Sequence, residues 1–169
     1  MSGPLGRFRP PVRAKGDGYL IDLGADESAM IRRLVGELRE LLAEEATDPR
    51  SHALLARLFP VTHPDDAELE AEYQRLMRDE LVQSKLGAFD AVDAALAGDG
   101  RVDEAQLVGV MQSINSLRLV LGTMLGIDDR DPDEPDEPDD VDPGLADSAE
   151  YHLYNYLSWL LEWCVRALS

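Results

Sequence analysis

Three histidines, one cysteine and one arginine inside an apolar helical pattern are the residues whose types could carry chemistry. The histidines are His52, His63 and His152. None stands four residues from another, so no pair sets two imidazoles on one helix face around a metal. His63-Pro64-Asp65-Asp66 brings an imidazole and two carboxylates to a helix start, where a capping or solvated role is expected rather than a metal site. Asp99-Gly100-Arg101-Val102-Asp103 has the look of half a calcium loop with Gly100 as its turn glycine. That register puts Ala95, Ala97 and Gln106 where liganding oxygens are required, so an ordinary interhelical loop is expected. No glycine-rich phosphate loop follows a strand, and no Ser, Cys or Lys nucleophile has a base at a motif spacing. No catalytic residue, metal site or cofactor is assigned, and a protein that is not an enzyme is expected.

Cys164 lies three residues after Leu161 and four before Leu168, which is core spacing on a helix. A buried cysteine behaves as a small hydrophobe. The functional alternative makes Cys164 a redox residue, which requires exposure and a lowered pKa. As the single cysteine it would then act through an intermolecular disulfide or a thiol adduct. Arg118 shares a helical face with Ile114, Leu121 and Leu125. A guanidinium there must snorkel or meet a carboxylate, because a lone buried charge is costly. Glu72, beside Leu69 and Leu76, is the expected partner in a buried ion pair, with Asp79 and Glu162 as alternatives. Tyr156, Trp159 and Trp163 decorate one face of the last helix. They either complete the core on a second face or anchor a protein partner.

The elements that must position these residues belong to a chain of 169 residues, with 34 acids against 16 Lys and Arg and a net charge of -18. That length suits one domain, able to bury roughly 70% of its unfolded surface without staples. The charge opposes simple binding to phosphate backbones, which depends on Lys and Arg. One cysteine excludes an internal disulfide and the common cysteine-based zinc sites. The start, MSGPLGRFRPPVRAKG, has cations but no apolar run behind them, and the apolar stretch Leu117 to Leu125 is interrupted by Arg118. A cytoplasmic protein with no membrane segment is expected.

The patterning predicts an all-α helical bundle of about five helices, with a short N-terminal β-hairpin and an acidic disordered linker before the last helix. Residues 1–24 form the arm and hairpin, turning at Lys15-Gly16-Asp17-Gly18, and Pro10-Pro11 confines the first strand to an edge. Residues 25–127 form the helical bundle. Its first helix runs from Ala25 to Ala46, and a short second one starts at Asp48-Pro49 and ends near Phe59-Pro60. A third starts around Thr62 to Asp66 and runs to Ala97, bending near Gly87, with Leu69, Tyr73, Leu76 and Met77 as its first core stripe. The fourth, from Asp103 to Leu125, is apolar on several sides and therefore central. Residues 128–146 form the linker. DDRDPDEPDEPDDVD, residues 128–142, has ten acids and one Arg, a composition that cannot bury enough surface to order itself. The C-terminal helix, 147–169, packs back on the bundle, so the whole is a single domain. The linker is read as a solvated tether or as a docking segment for a basic surface.

Several local patterns in this order resemble an actinobacterial domain-of-unknown-function family that includes the oxidative-stress transcription regulator AosR. Arg57-Leu58-Phe59-Pro60 is similar to its Arg-Leu-x-Pro motif. Asp65-Asp66, Glu72-Tyr73 and Arg75-Leu76 are similar to its paired-acid helix start and Glu-aromatic step. Leu117-Arg118-Leu119-Val120-Leu121-Gly122 resembles its core helix, and Tyr154-Asn155-Tyr156-Leu157 its aromatic C-terminal step. The resemblance implies an accessory regulator of oxidative-stress transcription. It would act through protein contact with RNA polymerase or a σ factor, the partner supplying the DNA affinity that this acidic chain lacks. The alternative is a non-catalytic helical adaptor outside transcription, docking through the aromatic face and the linker. A solvent-open pocket at Arg118 and Glu72 would mark the third possibility, an enzyme.

Overall fold

The computed structural model describes residues 8–44, 48–127 and 148–169, so the acidic linker lies outside the described residues. Five α-helices and a small antiparallel sheet make up these residues, and the expected all-α class holds. β1 (Val12–Lys15) and β2 (Gly18–Ile21) form the hairpin, with Val12 opposite Ile21 and Lys15 opposite Gly18. Gly16, at φ +61°, takes the first position of the two-residue turn, where a side chain would be strained. β1 is one edge of the three-stranded sheet, as expected for a strand that Pro10-Pro11 lead into.

The helices start where their caps direct. Asp48 accepts from Arg50 N, with Pro49 at the first position of α2 (Pro49–Leu55), and a 3₁₀ turn (Ala56–Leu58) follows. Asp66, and not the Pro64 region, caps α3 (Ala67–Ala97) by accepting from Leu69 N. α3 runs through Gly87 without a break. Asp103 and Gln106 form a reciprocal capping box on α4 (Glu104–Leu125), and Gly126 closes that helix in the left-handed region. Ser148 caps α5 (Ala149–Leu168) by accepting from Tyr151 N. α1 spans Ala25–Glu44.

α4 is the central element. It packs most extensively on α3 and α5, and it also touches α1, α2, the 3₁₀ turn and the sheet. Leu107, Val110, Ile114 and Leu117 bury one of its faces against Phe89 and Val92 of α3, Ile31, Val35 and Leu38 of α1, and Leu157 and Leu160 of α5 in one continuous core. Close approach of α3 and α4 depends on small side chains. A Cβ on Gly109 would stand 3.0 Å from the Ala91 Cβ. Arg39 of α1 clamps α3 from outside, meeting Asp90 at 2.9 Å and Asp93 at 2.7 Å.

Two features depart from the sequence reading. Arg101–Val102 forms a third strand, β3, with Tyr19 opposite Val102 and Leu20 opposite Arg101, where an ordinary interhelical loop was expected. The first stripe expected on α3 is also overturned. Leu69 and Leu76 are 45% and 66% exposed, so that face of the helix points to solvent. The stripe that continues inward from Val92 and Phe89 toward the N-terminus instead passes through Lys85, Leu81, Arg78, Gln74 and Glu70. It changes from apolar to polar as it leaves the core.

Candidate functional site

That polar continuation of α3 forms one wall of a groove of about 490 Å³, facing α2 and the 3₁₀ turn. Ala56, Phe59 and Val61 supply an apolar wall, and His52, Arg75 and Arg78 also line it. The Arg78 guanidinium lies 3.4 Å from the centre of the Phe59 ring, a cation–π stack. Glu70 closes one end. Its Oε2 accepts from Thr62 N at 3.0 Å, Thr62 Oγ1 at 3.0 Å and His63 N at 2.7 Å, and His63 Nδ1 stands 3.2 Å away. Its Oε1 accepts from Gln74 Nε2 at 2.8 Å. The Gln74 amide, opposed by burial and helped by His63 and Thr62, holds the Glu70 carboxyl down at about 2. This carboxylate pins the 62–63 turn to α3 rather than facing a ligand.

The sign of its contribution follows from that depression. A carboxyl lowered in the folded state stabilises above its ordinary value of 4.5, and the contribution is lost as pH falls from there through about 2. Glu70→Gln should therefore lower the melting temperature at pH 6, with the gap to wild type closing as melts are taken toward pH 2. A gap that stays constant across this range would contradict the assignment.

The residues singled out from the sequence are scattered. Glu72 and Arg118 do not meet. Glu72 is exposed on the outward face of α3, the face that Leu69 and Leu76 also occupy. Asp79 is exposed as well, and Glu162 pairs with Arg166 at 2.8 Å. Arg118 Nη2 instead donates to Asn115 Oδ1 at 3.0 Å, and its guanidinium carbon lies 5.9 Å from the Tyr154 ring centre. Its Nε is buried without a partner among the described residues. Since no carboxylate would be orphaned, Arg118→Met should leave the unfolding free energy unchanged or raise it by about 1 kcal/mol. Urea melts of the two chains measure this, and a loss of about 2 kcal/mol or more would show a dependent acid.

Cys164 is fully buried on α5. Burial pushes its thiol from 9.0 up to about 12. The exposure that a redox residue requires is absent from this arrangement. Trp159 is 40% exposed, and its ring centre is 5.9 Å from that of Tyr156. The Tyr156 hydroxyl donates to Glu27 Oε2 at 3.0 Å. Burial, with the Glu27 bond and charge, raises that phenol well above its ordinary range. Trp163 is half-buried between Phe8, 5.6 Å away, and Arg166, 5.0 Å from the ring centre. Of the three aromatic residues, Trp159 offers the most free surface. The half calcium loop is spent internally: Asp99 Oδ1 accepts from Arg101 N, and Asp103 caps α4. No cluster of three potential metal ligands occurs among the described residues. None of their helices is long and apolar enough to cross a membrane.

A family model described as "Domain of unknown function (DUF2017)" matches residues 7–168. The chain belongs to this family. It is also 28% identical, over 92% of its length and 84% of the relative's, to a Mycobacterium leprae (strain TN) protein named "Putative oxidative stress regulator AosR". No solved structure matches the chain. Two of the local patterns that carried the resemblance meet across the groove, Phe59 on one wall and Arg75 on the other. Sequence reading missed this site, although a signal was present. Residues 49–64 contain two Arg and two His but no acid, inside a chain of net charge -18.

Proposed function

We propose that the chain is an accessory regulator of oxidative-stress transcription that acts by contact with RNA polymerase or a σ factor rather than by strong DNA binding of its own. The similarity to the mycobacterial relative over nearly the whole chain is the observation that carries this reading. The net charge of -18 supports contact with protein over contact with DNA, because few phosphates could be neutralised against that field. Trp159, flanked by Tyr156, is the anchor proposed to meet the partner. A half-exposed indole next to a second aromatic ring is the kind of side chain that dominates interface energetics. In this reading the protein is cytoplasmic and catalyses nothing, and the oxidant is sensed by another component, because the one thiol is sealed in the core.

Deletion of the gene from its host, with transcripts profiled before and after peroxide, tests the role. A changed set of peroxide-responsive transcripts, restored by the wild-type chain and not by Trp159→Glu, is expected. An unchanged peroxide response in the deletion strain would overturn it.

A further inference from the structure

We propose that the cleft between α1 and α5, floored by α4, is a docking site for a basic amphipathic helix of a protein partner. α1 and α5 each pack on α4 more than on each other, which leaves the gap. Leu117 and Leu121 of α4 form its buried floor, and Leu34 and Leu41 of α1 and Leu153 of α5 form half-buried walls. Met124, 59% exposed, also lines it. A flexible thioether at an open apolar surface adapts to the shape of a partner. The volume of about 230 Å³ lies below the roughly 300 Å³ at which small-molecule sites begin, so the cleft suits one large side chain of a partner better than a whole ligand. Every lining residue is helical, which offers a strand no edge to pair with, whereas an apolar helix face fits between two helices over a third.

The sign of the partner follows from the rim. Glu37 and Glu150 are the charged residues lining the cleft, both are exposed, and neither has a cation partner among the described residues. Of the cations near them in sequence, Arg39 is held by Asp90 and Asp93, and neither Arg33 nor His152 lines the cleft. The described chain stops at Ile127, just after Met124, and resumes at Ser148, just before Glu150. Residues 128–147 hold eleven acids and one Arg, so both ends of that charge are anchored beside the cleft. An apolar site in so negative a field selects a cationic amphipathic partner. The same field repels a second copy of this chain, whose net charge is also -18. Lys or Arg flanking the apolar stripe of the partner would meet the two glutamates while one Phe or Leu enters the cleft.

The inference goes beyond the regulatory reading and stands without it, so its failure would leave that reading untouched. The test titrates a synthetic amphipathic peptide into the isotope-labelled full-length chain. The peptide consists of Lys, Ala and Leu, is about 16 residues long, and has one Phe at the centre of its apolar face. A second peptide of the same charge carries Ser in place of that Phe. The reporters are the methyl signals of Leu34, Leu41 and Met124. Saturable shifts at all three are expected, and the Ser peptide should bind about ten-fold more weakly or worse. Glu37→Gln combined with Glu150→Gln should weaken the Phe peptide about five-fold at low salt. Met124→Lys, an exposed substitution, should weaken it about ten-fold, with an unaltered circular dichroism spectrum as the control for folding. Equal affinity for the Phe and Ser peptides would overturn the proposal, because charge alone would then hold both. So would shifts confined to residues 128–147, an affinity unaltered by these substitutions, or no shift of the three methyls at millimolar peptide.

Discussion

Iodoacetamide should leave Cys164 unmodified in the native chain at pH 7 and alkylate it promptly once the chain is unfolded in guanidinium chloride. Burial sets the size of the effect in two linked ways. The thiolate is the nucleophile, and raising the thiol from 9.0 to about 12 reduces its thiolate fraction at neutral pH about a thousand-fold. Full burial then adds a steric barrier, because the sulfur is reached only through opening of α5 from its neighbours. Cys164 packs in the core with Leu157 and Leu160 on the same helix. Mass spectrometry after timed labelling reads the ratio directly. A native labelling rate within about ten-fold of that of the unfolded chain would contradict the buried, protonated thiol. The result bears on function as well as on packing. If the thiol is silent, a peroxide response that passes through this protein must start at a partner.

The second large effect is expected at Gly100, where an alanine should cost about 3 kcal/mol or more. Gly100 has a φ of +81°, a region that side chains rarely adopt. A Cβ built there would stand 2.2 Å from the carbonyl oxygen of Ile21, which is backbone and cannot swing aside. The chain must then separate β3 from β2, and the bond from Ile21 N to the Gly100 carbonyl, now 2.9 Å, is lost with it. Val102, buried at 6% exposure, is pulled from the core in the same movement. Denaturant melts of Gly100→Ala against wild type measure this. A change within about 0.5 kcal/mol would contradict the strand pairing at this position.

Gly100 also shows where the sequence stopped being legible. Asp99-Gly100 was visible as a break between two helices, because glycine and a short polar residue interrupt an apolar period. Nothing local says that the two residues after it pair with a hairpin 80 positions upstream. Arg101-Val102 is too short for alternation to register, and its strand character comes entirely from β2. The cap at Asp48 was legible for the opposite reason, since a cap is a bond between neighbours in sequence. The central place of α4 was legible too, because a helix apolar on several sides has nowhere else to go.

The outer half of α3 was misread for a physical reason. Leu69, Tyr73 and Leu76 repeat at helical spacing, and periodicity takes the apolar stripe as the inner one. Over 31 residues, about 46 Å of helix, α3 outruns the core that its C-terminal half covers. Beyond that core, the inward stripe is occupied by Arg78, which stacks on Phe59, by Gln74, whose amide donates to Glu70, and by Glu70, which holds the 62–63 turn. Leu69 and Leu76 are left outside, and Glu72 with them, which is why the expected pairing with Arg118 does not form. The groove was hidden for the same reason. Its two walls lie in different helices, and each polar residue in it reads alone as surface.

In the proposed function this chain reaches transcription through a protein and not through DNA. The most direct test mixes purified full-length chain with RNA polymerase core, with a stress-response σ factor, and with labelled promoter DNA, each alone, and follows complex formation by size-exclusion chromatography at moderate salt. Co-elution with polymerase or σ, lost in Trp159→Glu, and no complex with DNA alone is the predicted result. A stable complex with promoter DNA in the absence of both proteins, and none with either protein, would contradict the account.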